Sequence, residues 1–160
     1  MSYRQVTRGE VEPIRVYAVD VHGDPLTGAT DLYIRIQRVS DNYFLDWADV
    51  SFKASGHTTI SQILAEVDVV NAAGIYELVG GFDTGAVTNL SEDESLTIIP
   101  VQTPGTDAKL PAPEELLVKD SSSLSSQDLA QMRYRLALDG TQDIPATDVG
   151  TLEAIRLRIG

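Results

Sequence analysis

The chain has no cysteine. That excludes a disulfide framework, a thiolate metal site and a cysteine nucleophile, and it leaves the redox compartment open. Histidine occurs only as His22 and His57, each beside a glycine in a turn-rich stretch. Two histidines are too few ligands for zinc without cysteine, and the serines lack the G-x-S-x-G elbow of a nucleophilic hydrolase. Lysine is limited to Lys53, Lys109 and Lys119, and 24 acidic residues against 12 basic ones give a net charge of −12. A phosphate backbone repels such a surface, so nucleic acid and anionic membranes are not expected as partners. No apolar run is long enough to cross a bilayer. Residues 1–9 are polar and lack the apolar centre of a signal peptide, so the expectation is a soluble protein.

What is present reads as β-structure. In Leu32-Tyr-Ile-Arg-Ile-Gln-Arg38 the apolar Leu32, Ile34 and Ile36 share one face, and Tyr33, Arg35 and Gln37 share the other, the period of a strand with one wet side. A preceding run, Ile14 to Val21, is joined to it through Gly23, Pro25 and Gly28, turn residues that set backbone angles where the chain reverses. Further strands are expected at Tyr43–Trp47, at Val50–Ala54 and at Ile63–Val69, where Ile63, Ala65, Val67 and Val69 face one way and Glu66 and Asp68 the other. Ile75–Val79 and Ser95–Val101 complete the set. Pro100 lacks an N–H, so the last strand belongs at an edge or at a bulge. Some seven short strands with turns between them point to an antiparallel β-sandwich, which needs about 100 residues. The 160-residue chain accommodates that and an appendage.

The expected organisation is a polar N-terminal arm over residues 1–13, a sandwich over 14–102, a Pro/Ser-rich linker over 103–124 and a helical attachment segment over 125–160. The linker carries Pro104, Gly105, Pro111 and Pro113, which disfavour helix. In the final segment Leu129, Met132 and Leu136 fall at helical spacing, followed by the stop Asp139-Gly140. Leu152, Ile155 and Ile159 repeat the pattern, with Arg156 and Arg158 in the last turn. Isolated helices below roughly 12 to 15 residues are marginal in water, so these stripes must pack on the chain's own sandwich or on a neighbour. The six apolar residues are the candidate protein interface.

Catalytic readings are weak. Asp46 and Asp49 flank Trp47, an arrangement that sugar-cleaving sites use, but the lone tryptophan in an alternating segment reads better as core. Asp83, Glu92, Asp93 and Glu94 form an acidic loop without the D-x-[DN]-x-[DN]-G spacing of a calcium loop. No glycine pair has phosphate-loop spacing, and no cofactor, metal or enzymatic activity is expected.

Two groups of motifs carry a family resemblance. Asn71-Ala-Ala-Gly74-Ile-Tyr76-Glu-Leu78 resembles the tyrosine corner of immunoglobulin-like domains. Leu78 stands where their second cysteine would be, so the inter-sheet disulfide is absent. Gly23-Asp-Pro25-Leu-Thr-Gly28, Leu45-Asp46-Trp47, Phe52-Lys53 and Gly74-Ile-Tyr76, together with the tail from Leu138 to Glu153, resemble immunoglobulin-like modules and C-terminal ends of tailed-bacteriophage virion proteins. The resemblance implies a non-enzymatic structural protein of the virion, assembled in the host cytoplasm. It would decorate the capsid or act as a neck, tail or baseplate adaptor, as a homo-oligomer docked on major capsid or neck and tail proteins. The rival is a carbohydrate-binding or adhesion module, which would present Tyr33, Tyr43 and Trp47 on one exposed face.

Overall fold

The computed structural model describes residues 3–90, 93–103 and 108–120. These are strands and loops, and no helix occurs among them. The strands are β1 (Tyr3–Thr7), β2 (Val11–Glu12), β3 (Arg15–Tyr17), β4 (Leu32–Arg38), β5 (Phe44–Asp46), β6 (Ser51–Lys53), β7 (Gln62–Ile63), β8 (Ala65–Asp68), β9 (Ala72–Glu77), β10 (Phe82–Asp83), β11 (Glu94–Gln102) and β12 (Glu114–Lys119). The main sheet runs β1-β12-β11-β4-β5-β6, with β7 also paired to β4. A three-stranded sheet runs β3-β9-β8, and β10 pairs with β2.

Alternation in β4 is as the residues predict: Leu32, Ile34 and Ile36 are buried, and the residues between them are partly exposed. They join Leu96 and Ile98 of β11 and Leu116 and Val118 of β12 in one core with Val16 and Tyr76 of the small sheet. The runs on either side of the Gly23–Gly28 loop therefore enter different sheets, β3 pairing with β9 and β4 with β11.

The architecture is mainly β, but it is a mixed main sheet with two small sheets and does not reproduce the expected antiparallel immunoglobulin-like sandwich. β1 lies parallel to β12, with Val6 opposite Val118. The segment expected as an arm thus holds β1 and β2, and the segment expected as linker holds β12. Leu116 and Val118, read as a brief apolar patch, are fully buried. A parallel pair is joined only through a long crossover, and here the partners stand more than a hundred residues apart, so no local turn signal announces it. The expected helices of 125–160, with Leu129, Met132, Leu136, Leu152, Ile155 and Ile159, lie outside the described residues.

Pro100 is a second correction. β11 lies between β12 and β4, yet its pairing with β12 ends at Ile98 opposite Glu114. Ser95 O and Thr103 N both bond toward β4, so the alternation of the ladder turns the Pro100 nitrogen to the side where β12 has stopped. The strand is central, but the position is locally an edge. On the far side of the sheet, β6 is covered by a side chain. Asn89 accepts from Phe52 N (2.8 Å) and donates to Phe52 O (2.9 Å), one rung of a strand ladder made by an amide.

Val50 packs partly buried against the core that holds Phe52, but Ala54 does not join them. Val50 takes a left-handed φ of 52° in the turn before β6, and Ala54 is exposed.

Candidate contact surface

Three polar groups hold the body together, and each uses residues singled out in the sequence. Asp46 is fully buried at the end of β5. Its Oδ1 accepts from Ala48 N (3.1 Å) and Thr59 N (2.9 Å), and its Oδ2 from Thr58 N (2.9 Å) and Lys53 Nζ (2.8 Å). The Lys53 ammonium, then these amides, hold the carboxyl well below the usual carboxylate range. Lys53 also pairs with Asp49, which accepts in addition from Ser51 Oγ (2.7 Å). The acids flanking Trp47 are thus bound by one lysine and local donors. They brace the loop between β6 and β7; they do not face each other across a cleft.

Arg38 continues the inner face of β4. It makes a forked pair with Asp41 (3.1 and 2.5 Å), donates to Asn89 O (2.7 Å) and stacks 5.0 Å from the Phe52 ring centre and 5.6 Å from that of Tyr43. Trp47 packs against the core with its ring edge-on to Phe82, 6.2 Å between centres. Tyr33 sits with Arg35 and Ser61 in a shallow recess of about 240 Å³. The three aromatics expected to form a sugar platform are all partly buried, and two of them pack on the core.

Tyr76 is buried and joins the first loop to the small sheet. Its hydroxyl donates to Leu26 O (3.1 Å) and accepts from Ala29 N (3.0 Å). In a tyrosine corner the hydroxyl bonds backbone a few residues upstream, whereas here it reaches back about 50 residues, to the loop after β3. Burial raises its pKa. Gly74, two residues earlier, has φ of 77°, and a Cβ there would meet Ala18 O at 2.8 Å and Pro25 Cβ at 3.1 Å. Only glycine fits that approach.

The surface that remains unexplained by folding lies on β8 and its turn into β9. The alternation of Ile63, Ala65, Val67 and Val69 is real, but that face is the wet one: Ile63 and Val67 are exposed, while Leu64 is buried. Between them Glu66 is half-buried and accepts from Gly28 N (2.7 Å). The apolar row ends at a turn where Val69 is 58% and Val70 85% exposed. That turn is an ordered one. Asp68 Oδ1 accepts from Val70 N (2.8 Å) and Asn71 N (3.0 Å), and its Oδ2 from Asn71 Nδ2 (2.9 Å). These bonds, the Asn71 side chain first, lower the Asp68 pKa.

At the other end of β9 lies an open recess of about 250 Å³ lined by Val11, Pro13, Glu77, Leu78, Gly80 and Gly81. Its rim includes Val11, 53% exposed, and the neighbouring Val79 is 75% exposed. Glu77 is paired with Arg15 at 3.1 Å. The volume is below the roughly 300–1,000 Å³ of small-molecule sites, and it is of a size for side chains.

The acids of the loop that lacks calcium-loop spacing diverge. Asp83 accepts from Gly85 N (2.9 Å), Asp93 pairs with Lys119 and Glu94 accepts from Ser40 Oγ (2.6 Å). Glu92 lies outside the described residues, and among the described residues no three acids or histidines group as metal ligands. The valine tip carries no motif. Its only sequence signal is two adjacent valines, Val69 and Val70, where a polar turn is the rule. No protein-family model matches the chain, and no curated protein matches it.

Proposed function

We propose that this chain is a non-enzymatic structural protein of a tailed-bacteriophage virion. In this reading its immunoglobulin-like sandwich docks on a symmetric particle, either as capsid decoration or as a neck or tail adaptor. Its partners are then capsid or tail proteins and further copies of itself. The observation that carries the reading is the valine tip: Val69 and Val70 project from a turn whose conformation Asp68 holds with three hydrogen bonds. Apolar side chains kept in water at low conformational freedom favour a contact, because their ordering entropy is already lost before binding. The motif resemblance supplies the class of partner.

The test is composition and imaging of purified particles from the source. Particles should contain the chain at a copy number set by the symmetry of its location, many for decoration and one ring for an adaptor. Particles without any copy of it would overturn the proposal.

A further inference from the structure

Arg35 stands on the wet face of β4, two residues after Tyr33 and so beside it on the same side of the pleat. β11 runs along one flank, with Val101 opposite Tyr33, and β7 along the other, with Ile63 opposite Tyr33. The Arg35 Nε donates to the Oγ of Ser61, the residue before β7, at 2.9 Å. That bond fixes the plane of the guanidinium and leaves its two terminal nitrogens, the edge that forks onto a carboxylate, for another partner. Arg35 lines the recess of about 240 Å³ together with Tyr33, Ser61, Val101, Gln102 and Thr103. We propose that this recess binds a small carboxylate, an organic acid of a few carbons, with Arg35 as the fork that holds it.

Three features select a carboxylate. The first is charge. The chain has 24 acidic residues to 12 basic ones, and Arg4, Arg15 and Arg38 each pair with an acid. Among the described residues no acid pairs with Arg35. A guanidinium aimed by a neutral hydroxyl, in a chain with acids in excess, keeps its charge for a ligand. The second is the donor balance of the wall. Among the described lining residues none is acidic. Gln102 Oε1 is taken by Ala108 N (3.2 Å), and its Nε2 is enclosed with no acceptor. That nitrogen is too enclosed to touch a ligand itself, yet it marks a wall with more donors than acceptors, and such surroundings favour an anion. The third is size and valence. The volume falls below the roughly 300–1,000 Å³ of drug-sized ligand sites, and Val101 with the Tyr33 ring gives a short carbon body an apolar seat. One guanidinium, with no second cation among the described lining residues, matches a single negative charge better than a phosphate dianion. Nothing in this inference depends on the virion reading.

The experiment is an NMR titration of the full chain with sodium lactate, against sodium chloride at equal ionic strength and against lactamide, which keeps the body and lacks the charge. The resonances to follow are Arg35 Nε–H and the amides of Tyr33, Ser61 and Gln102. Lactate should move them saturably in the millimolar range, and the two controls should not. Arg35→Lys keeps the charge without the fork and should bind about tenfold more weakly. Arg35→Gln should show no saturable shift. Ser61→Ala leaves Arg35 charged but loosely aimed and should weaken binding about threefold, which keeps the test usable if an Arg35 variant fails to fold by circular dichroism. N-acetylglutamate amide separates the sources: binding as tight as lactate supports an acidic side chain of a partner, and weaker binding supports a free acid. Unmoved resonances, shifts reproduced by chloride or lactamide, or an Arg35→Gln variant that binds like wild type would each overturn the proposal. Phosphate bound more tightly than lactate would overturn it as well, by assigning the recess to a dianion.

Discussion

Two aspartates, Asp46 and Asp68, do the same local job with opposite results. Each gathers backbone N–H groups and one side-chain donor onto its carboxylate and so fixes a turn. The Asp46 turn folds inward beneath Trp47 and ends against the core, while the Asp68 turn points outward and holds two valines in water. Burial decides the difference. Asp46 sits at the end of β5 with Lys53 as counter-charge, so its loss leaves three amides without their acceptor and Lys53 with Asp49 alone. Asp68 is reached by solvent, which replaces what is lost. The same device serves stability in one place and presentation in the other.

Breaking the inner turn should have the largest effect. Asp46→Ala should lower the melting temperature by more than ~10 °C, read by thermal unfolding. The sign with pH follows from the depressed pKa: the carboxylate stabilises the fold above its unfolded value near 4 and loses that contribution as pH falls toward the folded value. The gap between wild type and Asp46→Asn should therefore be full at pH 7 and narrow on acidification below about pH 4. A gap independent of pH would show that geometry alone, without charge, holds this turn.

Gly74→Ala comes next, at about 3 kcal/mol from the left-handed φ and the clash with Ala18 O. Tyr76→Phe should cost about 1–3 kcal/mol by leaving Ala29 N and Leu26 O without the hydroxyl. Denaturant unfolding measures both, and an effect near zero for Tyr76→Phe would mean that the loop after β3 is held by its other bonds, such as Glu66 to Gly28 N and Leu26 N to Ala18 O. The smallest stability change is expected for Asp68→Ala. Its signature is local: amide exchange at Val70 and Asn71 should accelerate while the melting temperature barely moves. If exchange there is unchanged, the outer turn is not held by its aspartate and the comparison fails.

Much of the body was legible from residues alone. The alternation of β4 and the turn residues of the Gly23–Gly28 loop are local properties, and pleat geometry converts them directly into a face and a reversal. Gly74 and Tyr76 were legible as a corner, but not what the hydroxyl grips, because its acceptor is about 50 residues away. Asp46 was visible as an acid beside a tryptophan. That its carboxylate braces a turn depended on Lys53 and the Thr58 and Thr59 amides arriving from another segment.

Sequence by itself determined that this is an acidic, cysteine-free β protein with period-two strands, because composition and side-chain period are set residue by residue. Tertiary structure alone decided three things. It set β1 parallel to β12, since pairing of distant strands leaves no local trace. It made Pro100 a local edge within a central strand, since strand ends depend on the neighbour's length. It turned the apolar row of β8 outward to water, since a two-residue period fixes alternation and leaves the choice of face to the packing of distant segments.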